Sequence, residues 1–170
     1  METALIVIGS LLLTAAVVLA FRPSRWSAPT AFVGMIMFYL AGWLLTVDVW
    51  TLVFWGAATA IVVGIDYLLP REVVDSSRGV GYIVGATLAG TLVGLLVSDH
   101  GLIIGAVVGA FLGALAYVRT PAGRDIAFPS KKFVNYLAAK GLPAVVTMCI
   151  IGIVVGLLAY EYAILQNLGI

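Results

Sequence analysis

All nine lysine and arginine residues of this chain fall in three of the five connections between six apolar stretches. The stretches are approximately residues 4–21, 30–47, 49–69, 80–97, 101–118 and 141–164. Each is close to the ~20 apolar residues a helix needs to cross a hydrocarbon core. Arg22 and Arg25 follow the first stretch, and Arg71 and Arg78 follow the third. Arg119, Arg124, Lys131, Lys132 and Lys140 follow the fifth. The alternate connections and the termini carry only Glu2, Asp48, Asp99, His100 and Glu161. Basic residues stay on the cytoplasmic side of a membrane. The pattern therefore predicts a single membrane domain over 1–170, all-α, with six spans and both termini outside.

Composition agrees. The chain is 63% hydrophobic and 10% charged, with mean hydropathy +1.17. Soluble domains carry about 25% charged residues. A net charge of +1 gives no field for nucleic acid. The single cysteine, Cys149, excludes an internal disulfide, and no clustered Cys or His spacing suggests a metal. No cofactor is expected. The apolar N-terminus lacks a positive leading segment, so it reads as a retained first span, with both termini toward the periplasm if the source is bacterial. Aromatics fit the same topology. Tyr67, Tyr82, Tyr117 and Phe133 fall near the inner interface, and Trp43, Trp50, Tyr160 and Tyr162 near the outer one.

Two connections are short enough to predict tight hairpins. One joins the second and third spans at Asp48, which is expected to cap the third helix. The other is "SDHG", Ser98–Gly101. The long loop 119–140 ends in "PSKKFVNYLAAK", which reads in two ways. It is either a short interfacial helix begun at Pro129 or Ser130 and stopped at Gly141 and Pro143, or an early, bent start of the sixth span. Three spans per half would make an inverted repeat, a common transporter plan. The halves do not correspond in detail, because most glycines lie in the second.

Those glycines are regularly placed. Gly101, Gly105, Gly109 and Gly113 recur every fourth residue. Four residues advance a helix by about 400°, so the glycines form a nearly straight stripe about 18 Å long. Ala86, Gly90 and Gly94 form a matching stripe one span earlier, with Gly81 and Gly85 in another register. Gly152 and Gly156 add one more pair. Each interior glycine costs about 1 kcal/mol against alanine. Close backbone approach between membrane helices can offset that cost. The stripes predict a glycine-zippered hairpin of the fourth and fifth spans.

The segment "GYIVGATLAGTLVGLLVSDHGLIIGAVVGAFLGALAYVRTPAGRD", Gly81–Asp125, and the preceding "GIDYLL", Gly64–Leu69, resemble the domain of unknown function 456 family of small bacterial membrane proteins. The resemblance implies a glycine-zipper hairpin followed by a polar segment and a last span. It implies no catalytic residues.

Candidate polar sites are few. Asp66 lies within the third span a turn before Pro70, where an acid is either functional or an interfacial partner of Arg71 or Arg78. Asp99 and His100 occupy the outer turn, and Glu161 marks the outer end of the last span. Thr87, Thr91 and Thr147 either line a polar path or bond within their own helices. Arg22, Arg25, Lys131 and Lys132 are placed for lipid headgroups. No enzyme motif is present. The readings, in order, are a small transporter or channel-like protein, a structural or assembly subunit that self-associates or binds a larger membrane partner, and a lipid-interacting enzyme. Beyond the bilayer and such a partner, no nucleic-acid partner is expected.

Overall fold

A computed structural model of the chain describes residues 2–22, 24–42, 47–74, 76–126 and 128–167; the side chains of 99, 161 and 163–167 lie outside that description. The described residues form helices and connections only. They run α1 (Glu2–Ala20), α2 (Ser27–Leu40), α3 (Val49–Leu68), α4 (Arg71–Val74), α5 (Val80–Val97), α6 (Asp99–Val118), α7 (Lys131–Tyr136) and α8 (Leu142–Asn167). A π-helical turn, Leu137–Gly141, joins α7 to α8 without a break.

Five helical segments are long and apolar enough to cross a membrane: α1, α3, α5, α6 and the continuous Lys131–Tyr160. Their peripheries are apolar too. Leu68 and Leu96 are each 87% exposed, and Leu92, Val93, Val107 and Leu112 face outward. Such surface suits lipid and is foreign to a monomer in water. These are the features of a multi-pass membrane protein.

The second expected span, 30–47, is instead a 14-residue helix, Ser27–Leu40. It begins earlier than expected because Pro29 falls in its first turn, where a missing N–H removes no helical bond. It ends at Ala41, and Gly42 follows with φ +76°. The connection to α3 is thus longer than a tight turn at Asp48. Trp43 lies outside the described residues. Asp48 does hold the N-cap position of α3, but its side chain makes no capping bond there.

α5 and α6 are joined at Ser98 alone. Ser98 caps α6 by accepting from the Gly101 N–H at 3.0 Å. The turn returns α6 along α5, and the two backbones meet at the glycines. A Cβ built at Gly90 would lie under 3.0 Å from the Gly105 carbonyl oxygen, and one at Gly105 equally close to that of Gly90. Gly94 faces Gly101, Gly109 faces Ala86, and Gly113 faces Tyr82 and Ile83 in the same way. Gly81 and Gly85 differ: a Cβ there would meet nothing within 4 Å. They lie outside the helix contact that the sequence assigned them to. Gly85 is five residues from Gly90, about 500° of helix, so the two point some 140° apart.

α8 is the most buried of the long helices. It contributes to both apolar clusters. One gathers Leu13, Met35, Phe38, Trp55, Leu102, Ile150 and Val154. The other gathers Val80, Ile83, Ala114, Tyr117, Phe133, Tyr136 and Met148. α8 crosses the hairpin at Gly152, where a Cβ would press on Leu102 and Thr91, and at Gly156, where it would meet Leu95 at 3.1 Å.

The segment before α8 is an early start of the last long helix, continuous with it through the π turn. Ser130 caps α7 by accepting from the Phe133 N–H at 3.1 Å. Neither Gly141 nor Pro143 stops the chain, contrary to the interfacial-helix reading. Proline in a helix lacks a donor and clashes with the carbonyl four residues back. The π turn widens the coil just before it, with the Leu142 N–H bonded to the Leu137 carbonyl.

The glycine geometry makes a contrast that thermal unfolding in detergent can measure. Gly90→Ala and Gly105→Ala force backbones apart and should each destabilise by about 2 kcal/mol or more. Gly85→Ala meets open space and should be neutral or stabilising by up to about 1 kcal/mol. Equal effects at the three positions would contradict the close approach.

Candidate functional site

The three basic connections lie together at one end of the bundle. Three contacts join them across long sequence separations. The Arg25 guanidinium sits over the Tyr67 ring at 5.5 Å. Tyr136 Oη donates to the Arg78 carbonyl at 3.0 Å. Lys140 Nζ donates to the Val74 carbonyl. Aromatic packing reinforces this end: Tyr117 stacks on Tyr136 at 5.5 Å, and Phe133 meets Phe111 and Phe128 edge-on. Gly79 lets Tyr117 and Tyr136 close over the start of α5. Its φ is +72°, and a Cβ would strike both rings.

Within this basic end lies a charged cluster. Asp66 is 2% exposed, one residue from the lipid-facing Tyr67. The cations that face it are Arg25, from the α1–α2 connection, and Lys140, from the π turn. Arg71 and Arg78, its nearest basic neighbours in sequence, are not the groups it faces. Lys140 is itself buried. The wide π turn buries three successive residues, Ala139, Lys140 and Gly141, and so carries the ammonium inward from a stretch that reads as a loop. Asp66, Lys140, Arg22, Ser24 and Ser27 line a cavity of about 20 Å³. Asp66 Oδ1 is buried without a hydrogen-bond partner.

At the far end, α3 stands away from the hairpin and leaves an open groove of about 1030 Å³. Trp50, Thr51, Phe54 and Trp55 of α3 form one wall, and Gly152, Ile153, Gly156 and Leu157 of α8 form another. Leu102 and Ile103 of α6 complete it. His100, Trp50 and Tyr160 stand at its rim, all exposed. His100 lies in the first turn of α6 rather than in a loop. The side chains of Asp99 and Glu161 lie outside the described residues.

Both cavities include residues of α3 and α8: Asp66, Pro143 and Ala144 at the charged one, and Trp50 and Trp55 with Gly152 and Tyr160 at the groove. Between them these helices carry Thr59 and Thr147. Thr59 is about two turns from Asp66, and Thr147 about two turns from Lys140. Thr59 donates to the Trp55 carbonyl at 2.8 Å. Thr147 is fully buried, and its hydroxyl has no partner. Thr87 and Thr91 are satisfied within α5, donating to Ile83 and Thr87 at 2.7 Å each. They seal the helix rather than line a path. Cys149 is a buried packing residue.

Of the basic residues expected at headgroups, Arg22 is exposed at the charged cavity's mouth and Arg25 is drawn toward Asp66. Lys131 and Lys132 are exposed on α7, away from the cluster. Lys140 was not singled out by sequence reasoning. Its one available signal was its place three residues before Pro143, where a helix continuing through the proline needs a widened turn.

Removing one member of a buried charge cluster leaves the other uncompensated. Lys140→Met should lower stability by about 3 kcal/mol. Adding Asp66→Leu to it should recover much of that loss, as thermal melts of the single and double variants would show. Strictly additive losses would mean that the two side chains do not act on one another. Compared with models of known families, with curated proteins and with solved structures, the chain matches none.

Proposed function

We propose that this is a small transporter-like protein of a bacterial inner membrane, with its path along the α3–α8 seam and both termini outside. The observation that carries the reading is the shared wall. An open groove at one end and a charged cavity at the other each take part of their lining from α3 and α8, with other helices completing them. Between the two cavities α3 and α8 carry buried Thr59 and Thr147, and the Thr147 hydroxyl is unsatisfied. That arrangement suits a vestibule open to one side and shut from the other.

The path is placed beside the hairpin, not through it. α5 and α6 meet backbone to backbone, which leaves no lumen between them. In this reading the hairpin is the glycine zipper of the domain of unknown function 456 resemblance and serves as the rigid half. α2, a shorter apolar helix, is counted as the remaining crossing, giving six. The positive-inside rule puts the charged cavity on the cytoplasmic side. A second reading, self-association, draws on Gly81 and Gly85, small residues left uncovered on the outer face of α5.

Thiol labelling in intact cells tests the proposal, with Cys149→Ala as background. An impermeant reagent added outside should label Thr51→Cys and Ile153→Cys and spare Lys131→Cys. A small permeant thiol reagent should reach Thr147→Cys. If Thr147→Cys and Thr59→Cys stay unlabelled under all conditions, the seam is not a path and the structural reading takes its place. Outside labelling of Lys131→Cys would reverse the topology.

A further inference from the structure

We infer that Asp66 is a proton-exchange site, reached from the basic end through a single water in the cavity beside it. The inference rests on the α3–α8 path proposed above and gives it a coupling ion.

A buried carboxylate oxygen without a donor is costly, and most such atoms are paired with protein or ordered water. Asp66 Oδ1 is buried and unpaired. It stands beside a cavity of about 20 Å³. That is room for one water and little more. The walls supply what such a water needs, because Ser24 and Ser27 line the same cavity as the carboxylate. A water there donates to Asp66 Oδ1 and bonds to a serine. Arg22 is exposed at the mouth, so the water communicates with solvent at the basic end.

The charges select the ligand. Among the described residues, the charged groups facing Asp66 are Arg25 from the α1–α2 connection and Lys140 from the π turn, with Arg22 on the same cavity. A metal ion would have one carboxylate to bind and three cations to oppose it. The cavity also lacks room for a hydrated ion. A proton needs no such space. It passes from solvent to the water, and the water gives a proton to Oδ1. An O–H bond forms, Asp66 becomes neutral, and the water is restored by the incoming proton. Lys140 and Arg25 keep their protons. The electrostatic tie from α3 to the π turn and to the α1–α2 connection is then released. α3 lines the far groove as well, so the charge on Asp66 biases how that end sits against α8.

The test is infrared spectroscopy of the full chain in phospholipid nanodiscs. As pH is lowered from about 9 to about 4, across the carboxyl range, a protonated-carboxyl C=O band should grow. The band should be lost in Asp66→Asn and displaced, not lost, in Asp66→Glu. The conservative variant assigns the band even if Asp66→Asn does not fold. In deuterated buffer the band should shift promptly, and more slowly in Ser27→Ala. Spectra of all three proteins that superimpose would overturn the site. So would removal of the band by sodium at constant pH, which would make the ligand a cation. The band without labelling at Thr147→Cys upholds the proton site and removes the path; labelling without the band removes the proton site alone.

Discussion

Hydrocarbon gives two apolar helices no reason to prefer each other over lipid. What holds this bundle together is therefore the closeness with which backbones can meet, and α5 and α6 meet at the limit that glycine allows. Their dispersion and Cα–H···O contacts accumulate along most of their length. Two of the contact pairs are reciprocal: the Cβ absent from Gly90 makes room for the Gly105 carbonyl and the converse holds, as it does for Gly94 and Gly101. A single larger side chain would therefore lift the helices apart over several turns. The hairpin is the fixed body on which the rest is arranged.

α8 uses that body differently. At Gly152 and Gly156 its backbone meets side chains of the hairpin, Leu102, Thr91 and Leu95, rather than the hairpin's backbone. Its other device is the π turn. By accommodating Pro143 within a continuous helix, the turn carries Lys140 inward and places an ammonium beside Asp66. One local irregularity thus sets both the course of the last helix and the charge balance of the basic end.

Apolar length and charge partition made the long helices legible in the sequence, since each is a property of a contiguous segment. The stripe on α6 was legible for a similar reason, because fixed spacing on a helix fixes a face. Spacing set Gly81 and Gly85 in a register apart from Gly90 and Gly94, but did not say which of the two faces on α5 would be covered. Asp66 was read against its sequence neighbours Arg71 and Arg78. Its actual cations, Arg25 and Lys140, come from remote segments that only tertiary packing brings near. Lys140 itself was hidden by Pro143, which reads as a stop unless the helix widens. The far groove had no sequence signature at all. A groove is the place where helices fail to pack, and no residue pattern marks that.

α3 is the helix on which these features converge. It packs on α2 and α8 and hardly at all on the α5–α6 hairpin. Along its far half Trp50, Thr51 and Phe54 border open space, so little apolar packing opposes a change in its tilt there. At its basic end, by contrast, a single carboxylate faces two cations carried by different segments. Buried charges act more strongly than exposed ones because solvent screens them less. The position of α3 is therefore governed unequally, by diffuse packing along its length and by one ionisable group at its end. In the proposed proton exchange, neutralising that one group loosens the basic end of α3, while the backbone contacts between α5 and α6 carry no charge to lose.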